Sequence, residues 1–77
     1  MDYKQILTDI ARAIVDSPDQ VSVTETEEGN EIKLVLTVAP EDTGMVIGRH
    51  GKIAKAIRSV MKAASGGSGK HITVEIE

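Results

Sequence analysis

Residues 46–53, Val46-Ile47-Gly48-Arg49-His50-Gly51-Lys52-Ile53, set two glycines around a basic pair, with aliphatic residues before them and a cationic amphipathic stretch after them. A glycine lacks Cβ, so the backbone can turn tightly there and come close to a ligand. A second glycine three residues later extends that freedom over a four-residue tip. Such a tip can lie against a sugar-phosphate backbone.

The flanking segments read as helices. After Pro40, the run Glu41-Asp42-Thr43 predicts a capped start to a short helix through Ile47, with acids where the helix dipole favours them. Downstream, a helix is expected from about Gly51 to Ala64. Ile53, Ala54, Ile57, Val60, Met61 and Ala64 form its apolar face, and Lys52, Lys55, Arg58 and Lys62 fall on the remaining faces. Ser65-Gly66-Gly67-Ser68-Gly69 is a flexible loop by composition, and Ile72, Val74 and Ile76 then alternate with Thr73 and Glu75 in a final strand.

The N-terminal half supplies the remaining elements. Tyr3, Ile6, Leu7, Ile10, Ala11, Ile14 and Val15 recur at three- and four-residue spacing, one stripe of a helix. Asp2 with Gln5 fits a capping-box variant, and Ser17-Pro18 stops the helix because the residue before proline avoids helical geometry. Val21 and Val23, then Ile32, Leu34, Leu36 and Val38, alternate with other residues as two strands, with Glu28-Gly29-Asn30-Glu31 a tight hairpin between them. The order is αββααβ. A crossover through a helix pair permits the third strand to run parallel to the second, giving an α+β fold of two layers: a three-stranded mixed sheet with three helices on one face.

A chain of 77 residues has room for one domain and one core, residues 1–77. Its 40% hydrophobic and 27% charged residues are those of an ordinary globule. No stretch approaches the roughly 18 apolar residues of a membrane span, and the charged N-terminus lacks the apolar segment of a signal peptide, so a cytoplasmic location away from membranes is expected. Cysteine is absent, which removes disulfides and thiolate metal sites.

The formal net charge of −3 hides a segregation. Residues 43–74 hold Arg49, Lys52, Lys55, Arg58, Lys62 and Lys70 and no acid, a local +6. The rest sets Lys4, Arg12 and Lys33 against all twelve acids, a local −9, and together they return −3. Exposed charges more than about 10 Å away are screened at 0.1 M salt, so a polyanion at the loop meets the positive field.

With these elements in this order, V-I-G-R-H-G-K-I between two short helices resembles the G-x-x-G loop of a KH domain of type II topology, and the resemblance covers essentially the whole chain. A free-standing single domain of this length is similar to small bacterial RNA-binding proteins. The resemblance implies that Gly48, Arg49, His50 and Gly51 hold the backbone of about four nucleotides of single-stranded RNA, or of single-stranded DNA. It further implies a groove with Val46, Ile47, Lys52 and Lys55 on one wall. The opposite wall would be the strand from His71 to Val74 with the loop 65–69, and Arg58, His71, Ile72 and Thr73 would be accessory contacts. The implied role is that of an RNA chaperone or post-transcriptional regulator. Ala54 departs from the pattern, since many KH domains carry isoleucine there.

The single aromatic residue, Tyr3, lies in a helix stripe, so the aromatic stacking platforms of other RNA-binding folds cannot be built. Gly44 to Gly51 does not supply G-x-x-x-x-G-K-[ST]. Two histidines 21 positions apart make no metal cluster, no cofactor is implied, and no serine, histidine and acid arrangement suggests an enzyme. The competing reading is a protein-interaction module: a homodimer, or a pair with a larger KH-containing protein, with RNA contact secondary.

Overall fold

The periodic stripe at the N-terminus becomes α1, Tyr3–Ile14, in a computed structural model that describes residues 2–77. Asp2 caps it: its carboxylate accepts from the Gln5 backbone N–H at 3.0 Å. The return half of the expected capping box is missing, because the Gln5 amide donates to Asp9 one turn further on, at 2.8 Å. The helix ends at Val15, whose backbone is extended, and Pro18 opens a short 3-10 turn.

Strands β1, Ser22–Glu28, and β2, Glu31–Thr37, pair antiparallel with Glu28 opposite Glu31. Gly29, at φ +57, takes the first of the two loop positions, where the backbone needs a positive φ that glycine gives freely. β1 runs beyond the Val21 and Val23 alternation. Its second half, Thr24 to Glu28, is exposed, so the ladder with β2 rather than side-chain burial holds it extended.

Two helices follow, α2, Thr43–Ile47, and α3, Lys52–Ser65, before β3, His71–Ile76. β3 lies parallel to β2, with Glu31 opposite His71 and Leu36 opposite Ile76, giving the order β1-β2-β3 in a mixed sheet. Leu7 and Ala11 from α1, Val46 from α2, and Ile57 and Met61 from α3 meet Val23, Ile32, Leu34, Leu36 and Val74 in one core. The helices therefore share one face of the sheet, as expected. The other face carries Thr24, Thr26, Lys33, Thr73 and Glu75, with an exposed Lys33–Glu75 ion pair at 3.4 Å.

Three local expectations are corrected. Asp42 does not cap α2 with its side chain. It is 1% exposed, and Oδ2 accepts from the Ser17 backbone N–H at 3.0 Å, tying the exit of α1 to the entry of α2. Oδ1 has no hydrogen-bond partner. The face of α3 that meets the core is narrower than the full apolar set: Ala54, Ile57, Met61 and Ser65 are buried, whereas Ile53 and Val60 are 38% and 48% exposed. A helix laid on a sheet buries one arc, and residues one position away turn out of it. Ser65 belongs to α3 rather than the loop; its hydroxyl donates to Lys62 C=O at 3.0 Å.

Candidate nucleic-acid interface

Gly48 ends α2 at φ 74, ψ 175, and Arg49–Gly51 form a single 3-10 turn before α3 begins at Lys52. Inside it His50 (φ 57) and Gly51 (φ 73) are both left-handed, and Gly51 N–H donates to Gly48 C=O at 3.2 Å. His50 is the one non-glycine residue with positive φ among those described; histidine tolerates that region better than most side chains. The two glycines differ. A Cβ on Gly48 would stand 2.2 Å from Ile53 Cγ1, whereas one on Gly51 would have nothing within 4 Å. Gly48 is required both by its positive φ and by packing against α3, and Gly51 by backbone conformation alone.

Arg49 and His50 project exposed from this turn, and Lys52 and Lys55 are exposed on the first turns of α3. Among the described residues only Lys33 and Lys70 form ion pairs, with Glu75 and Glu27, so Arg49, His50, Lys52 and Lys55 have no acid partner. Lys70 also donates to Gly29 C=O, fastening the 66–70 loop to the β1–β2 hairpin. Its charge is spent at the opposite end of α3.

The outer edge of β3 borders the helix pair, because both α2 and α3 pack against this strand. His71 N–H donates to Asn30 C=O and Glu77 N–H to Leu36 C=O, at 2.7 and 2.8 Å. Residues of that parity face β2, so the backbone groups of Ile72, Val74 and Ile76 face the open edge. There Arg58 Nε donates to Val74 C=O at 3.2 Å, a part-buried bridge from α3 to the strand.

Residues 4–76 match the profile described as KhpA/KhpB, KH domain. The chain is 53% identical over 73 residues to the RNA-binding protein KhpA of Clostridium acetobutylicum, covering 95% of this chain and 97% of that one. It is 47% identical over 72 residues to that of Caldanaerobacter subterraneus, at 94% and 96% coverage. For the Treponema pallidum protein of the same name the figures are 46% over 74 residues, at 95% and 91%. The chain belongs to the KhpA/KhpB KH-domain family.

KH domains of this family are binding modules and not enzymes, so the residues to be accounted for are those of a surface. Of the expected set, Gly48, Arg49, His50, Gly51, Lys52 and Lys55 come together at the turn and the start of α3, and Ile47, 38% exposed, lies beside them. Val46 does not line the surface. It is fully buried and supports α2 from the core. His71, Ile72 and Thr73 are also displaced. Five residues join α3 to β3, so the strand runs back along the helix and its start lies level with the end of α3, about 20 Å from the loop at 1.5 Å per residue. His71 and Thr73 moreover point to the face without helices, and Ile72 is half-buried under α3. Sequence alternation could have shown that His71 and Thr73 share a face opposite Val74, but not which end of β3 meets the loop. The Arg58–Val74 bridge had no sequence signal, because it joins a side chain to a backbone carbonyl.

Among the described residues no group of histidine and acid side chains is placed to hold a metal ion, and no helix is long and apolar enough to cross a membrane.

Proposed function

We propose that this chain, one KH domain across its 77 residues, holds short single-stranded RNA on the turn Gly48–Gly51. In this reading it serves as an RNA chaperone or post-transcriptional regulator in the cytoplasm. The observation that carries the reading is the exposed left-handed turn bearing Arg49 and His50 with no acid partner, continued by Lys52 and Lys55 on α3. Phosphates approach where the backbone is bare, cations neutralise them, and bases lie on the aliphatic surface of Ile47 and Ile53. The names of the relatives, RNA-binding proteins all, support the same reading.

Replacing Arg49 and His50 together by aspartate tests it. Both side chains are exposed, and aspartate accepts the left-handed geometry at position 50, so the fold is retained while the turn opposes phosphate. RNA affinity should fall more than about tenfold, since one charge reversal and one added acid at the turn oppose the phosphates it would meet. A folded double variant that binds single-stranded RNA as tightly as the parent would overturn the clamp. Single-stranded DNA of the same sequence, run in parallel, separates a preference for the 2′-hydroxyl from a grip on phosphate alone.

A second reading, pairing with another copy or with a larger KH-containing partner, is favoured by one feature. Ile53, Ala56, Val60 and Ala63 are all exposed and recur at helical spacing along the outer side of α3. An apolar stripe of this kind suits a second protein surface. Pairing would also link two short RNA sites and raise their joint affinity through effective concentration.

A further inference from the structure

β1 leaves one edge of the sheet open. The two-residue turn makes Glu28 and Glu31 a hydrogen-bonded pair, so Ser22, Thr24, Thr26 and Glu28 direct their backbone groups to β2. Those of Val23, Glu25 and Glu27 face outward and have no partner among the described residues. The strand has neither proline nor bulge, so only its charges blunt this edge. At its start the edge runs into a groove of about 410 Å³, walled by Val21, Ser22 and Val23 on one side and by Lys4, Thr8 and Arg12 of α1 on the other. Asp2 also borders the groove, but its carboxylate is engaged by the Gln5 N–H. Of the three cations outside residues 43–74, Lys33 is paired with Glu75. The other two, Lys4 and Arg12, are exposed, form no ion pair with a described residue, and meet in this groove. The far half of the same edge is acidic: Glu25 and Glu28 are exposed and unpaired, while Glu27 is held by Lys70.

We propose that the open edge of β1 takes the extended C-terminal tail of a protein partner as a fourth strand, antiparallel to β1. Backbone groups of the tail pair with those of Val23, Glu25 and Glu27. Antiparallel addition sets the last residue of the tail beside Ser22, where its carboxylate meets Lys4 and Arg12. Counting back from Ser22 to Glu25 and Glu28, the residues three and six places earlier in the tail lie opposite those acids, where lysine or arginine is complementary. The charge that selects such a tail also disfavours a second copy, because two β1 strands paired antiparallel about Glu25 set glutamate against glutamate. The site lies on the sheet edge opposite β3 and the helix pair that borders it, so it is separate from the Gly48–Gly51 turn and does not depend on the RNA reading.

The test titrates the isotope-labelled full chain with three synthetic heptapeptides: KTTKTVS with a free C-terminus, the same peptide amidated, and ETTETVS. The first is expected to half-saturate the protein below about 1 mM, with the largest amide shifts at Val23, Glu25 and Glu27. Amidation should weaken it at least about twofold, and ETTETVS should bind at least about fivefold less tightly. Glu25→Lys, at an exposed position, should weaken KTTKTVS at least about threefold and strengthen ETTETVS, a reversal that loss of structure cannot produce. Lys4→Gln combined with Arg12→Gln should bring the free and amidated peptides within about 1.5-fold of each other. If the Glu25 variant does not fold, the doubly substituted α1 variant decides the matter. No saturation by KTTKTVS below about 1 mM, shifts confined to other elements, or indifference to both sets of charge changes overturns the proposal. Shifts at the same three amides that grow with protein concentration alone assign the edge to a second copy and also overturn it.

Discussion

Gly48 and Ile53 are in contact across the turn: a methyl group on Gly48 would come within 2.2 Å of Ile53 Cγ1 and 2.9 Å of its backbone nitrogen. The first glycine of the loop is thus held by the helix that follows it. The two glycines, three residues apart and indistinguishable as a motif, do different physical work.

Gly48→Ala is accordingly expected to cost about 2–3 kcal/mol, combining a positive φ with overlap on a helix backbone that cannot yield. Gly51→Ala, with open space around it, should cost about 1 kcal/mol from conformation alone. Thermal unfolding separates them, since each kcal/mol shifts the Tm of a domain this size by about 4–8 °C. Equal shifts would show that the Ile53 contact relaxes without cost.

Asp42 anchors the entry to α2 through the Ser17 N–H. Asp42→Ala leaves that donor without its acceptor and should destabilise by about 1–3 kcal/mol in urea unfolding at unchanged m-value. Asp42→Asn retains an acceptor oxygen of the same length and should cost less. If the two variants unfold together, the Ser17 bond contributes nothing and the loss is one of packing.

Salt should weaken RNA binding in proportion to the cations engaged. Each phosphate neutralised on a single strand contributes about −0.7 to the slope of log K against log salt, so three or four of Arg49, Lys52, Lys55 and Arg58 give about −2 to −3. A flat titration between low and moderate salt would remove phosphate from the interaction.

Val60, 48% exposed on the outer stripe of α3, reports on self-association. Val60→Glu should leave the unfolding free energy of a monomer within about 0.5 kcal/mol of the parent, because an exposed site loses no core contact. If the stripe joins two copies, the same change yields a monomer by sedimentation. A dimer that persists places the contact elsewhere.

Much of this was legible in the residues themselves. The α1 stripe, the alternation of Ile32, Leu34 and Leu36, and the last strand at Ile72, Val74 and Ile76 each follow from a periodicity that backbone geometry imposes locally. The turn at Gly48–Gly51 was legible as well, because only glycine enters positive φ without penalty. Spacing along the chain does not encode which neighbour a residue meets. Asp42 has the right type and place for a cap, but a backbone donor 25 residues away competes for it. Ile53 and Val60 are apolar on an amphipathic helix, yet the sheet beneath covers only the arc of Ala54, Ile57 and Met61.

The sequence by itself determined the order αββααβ, the face each strand buries, and the concentration of cations without acids around one turn. Those features depend on spacing along the chain, which is local. Only the tertiary structure decided that Gly48 rests on Ile53, that β3 brings Val74 rather than His71 toward the loop end of α3, and that Arg58 is held at the strand's open edge. Those contacts depend on which surfaces close over one another when the core forms, and no periodicity along the chain encodes the distance between residues 58 and 74.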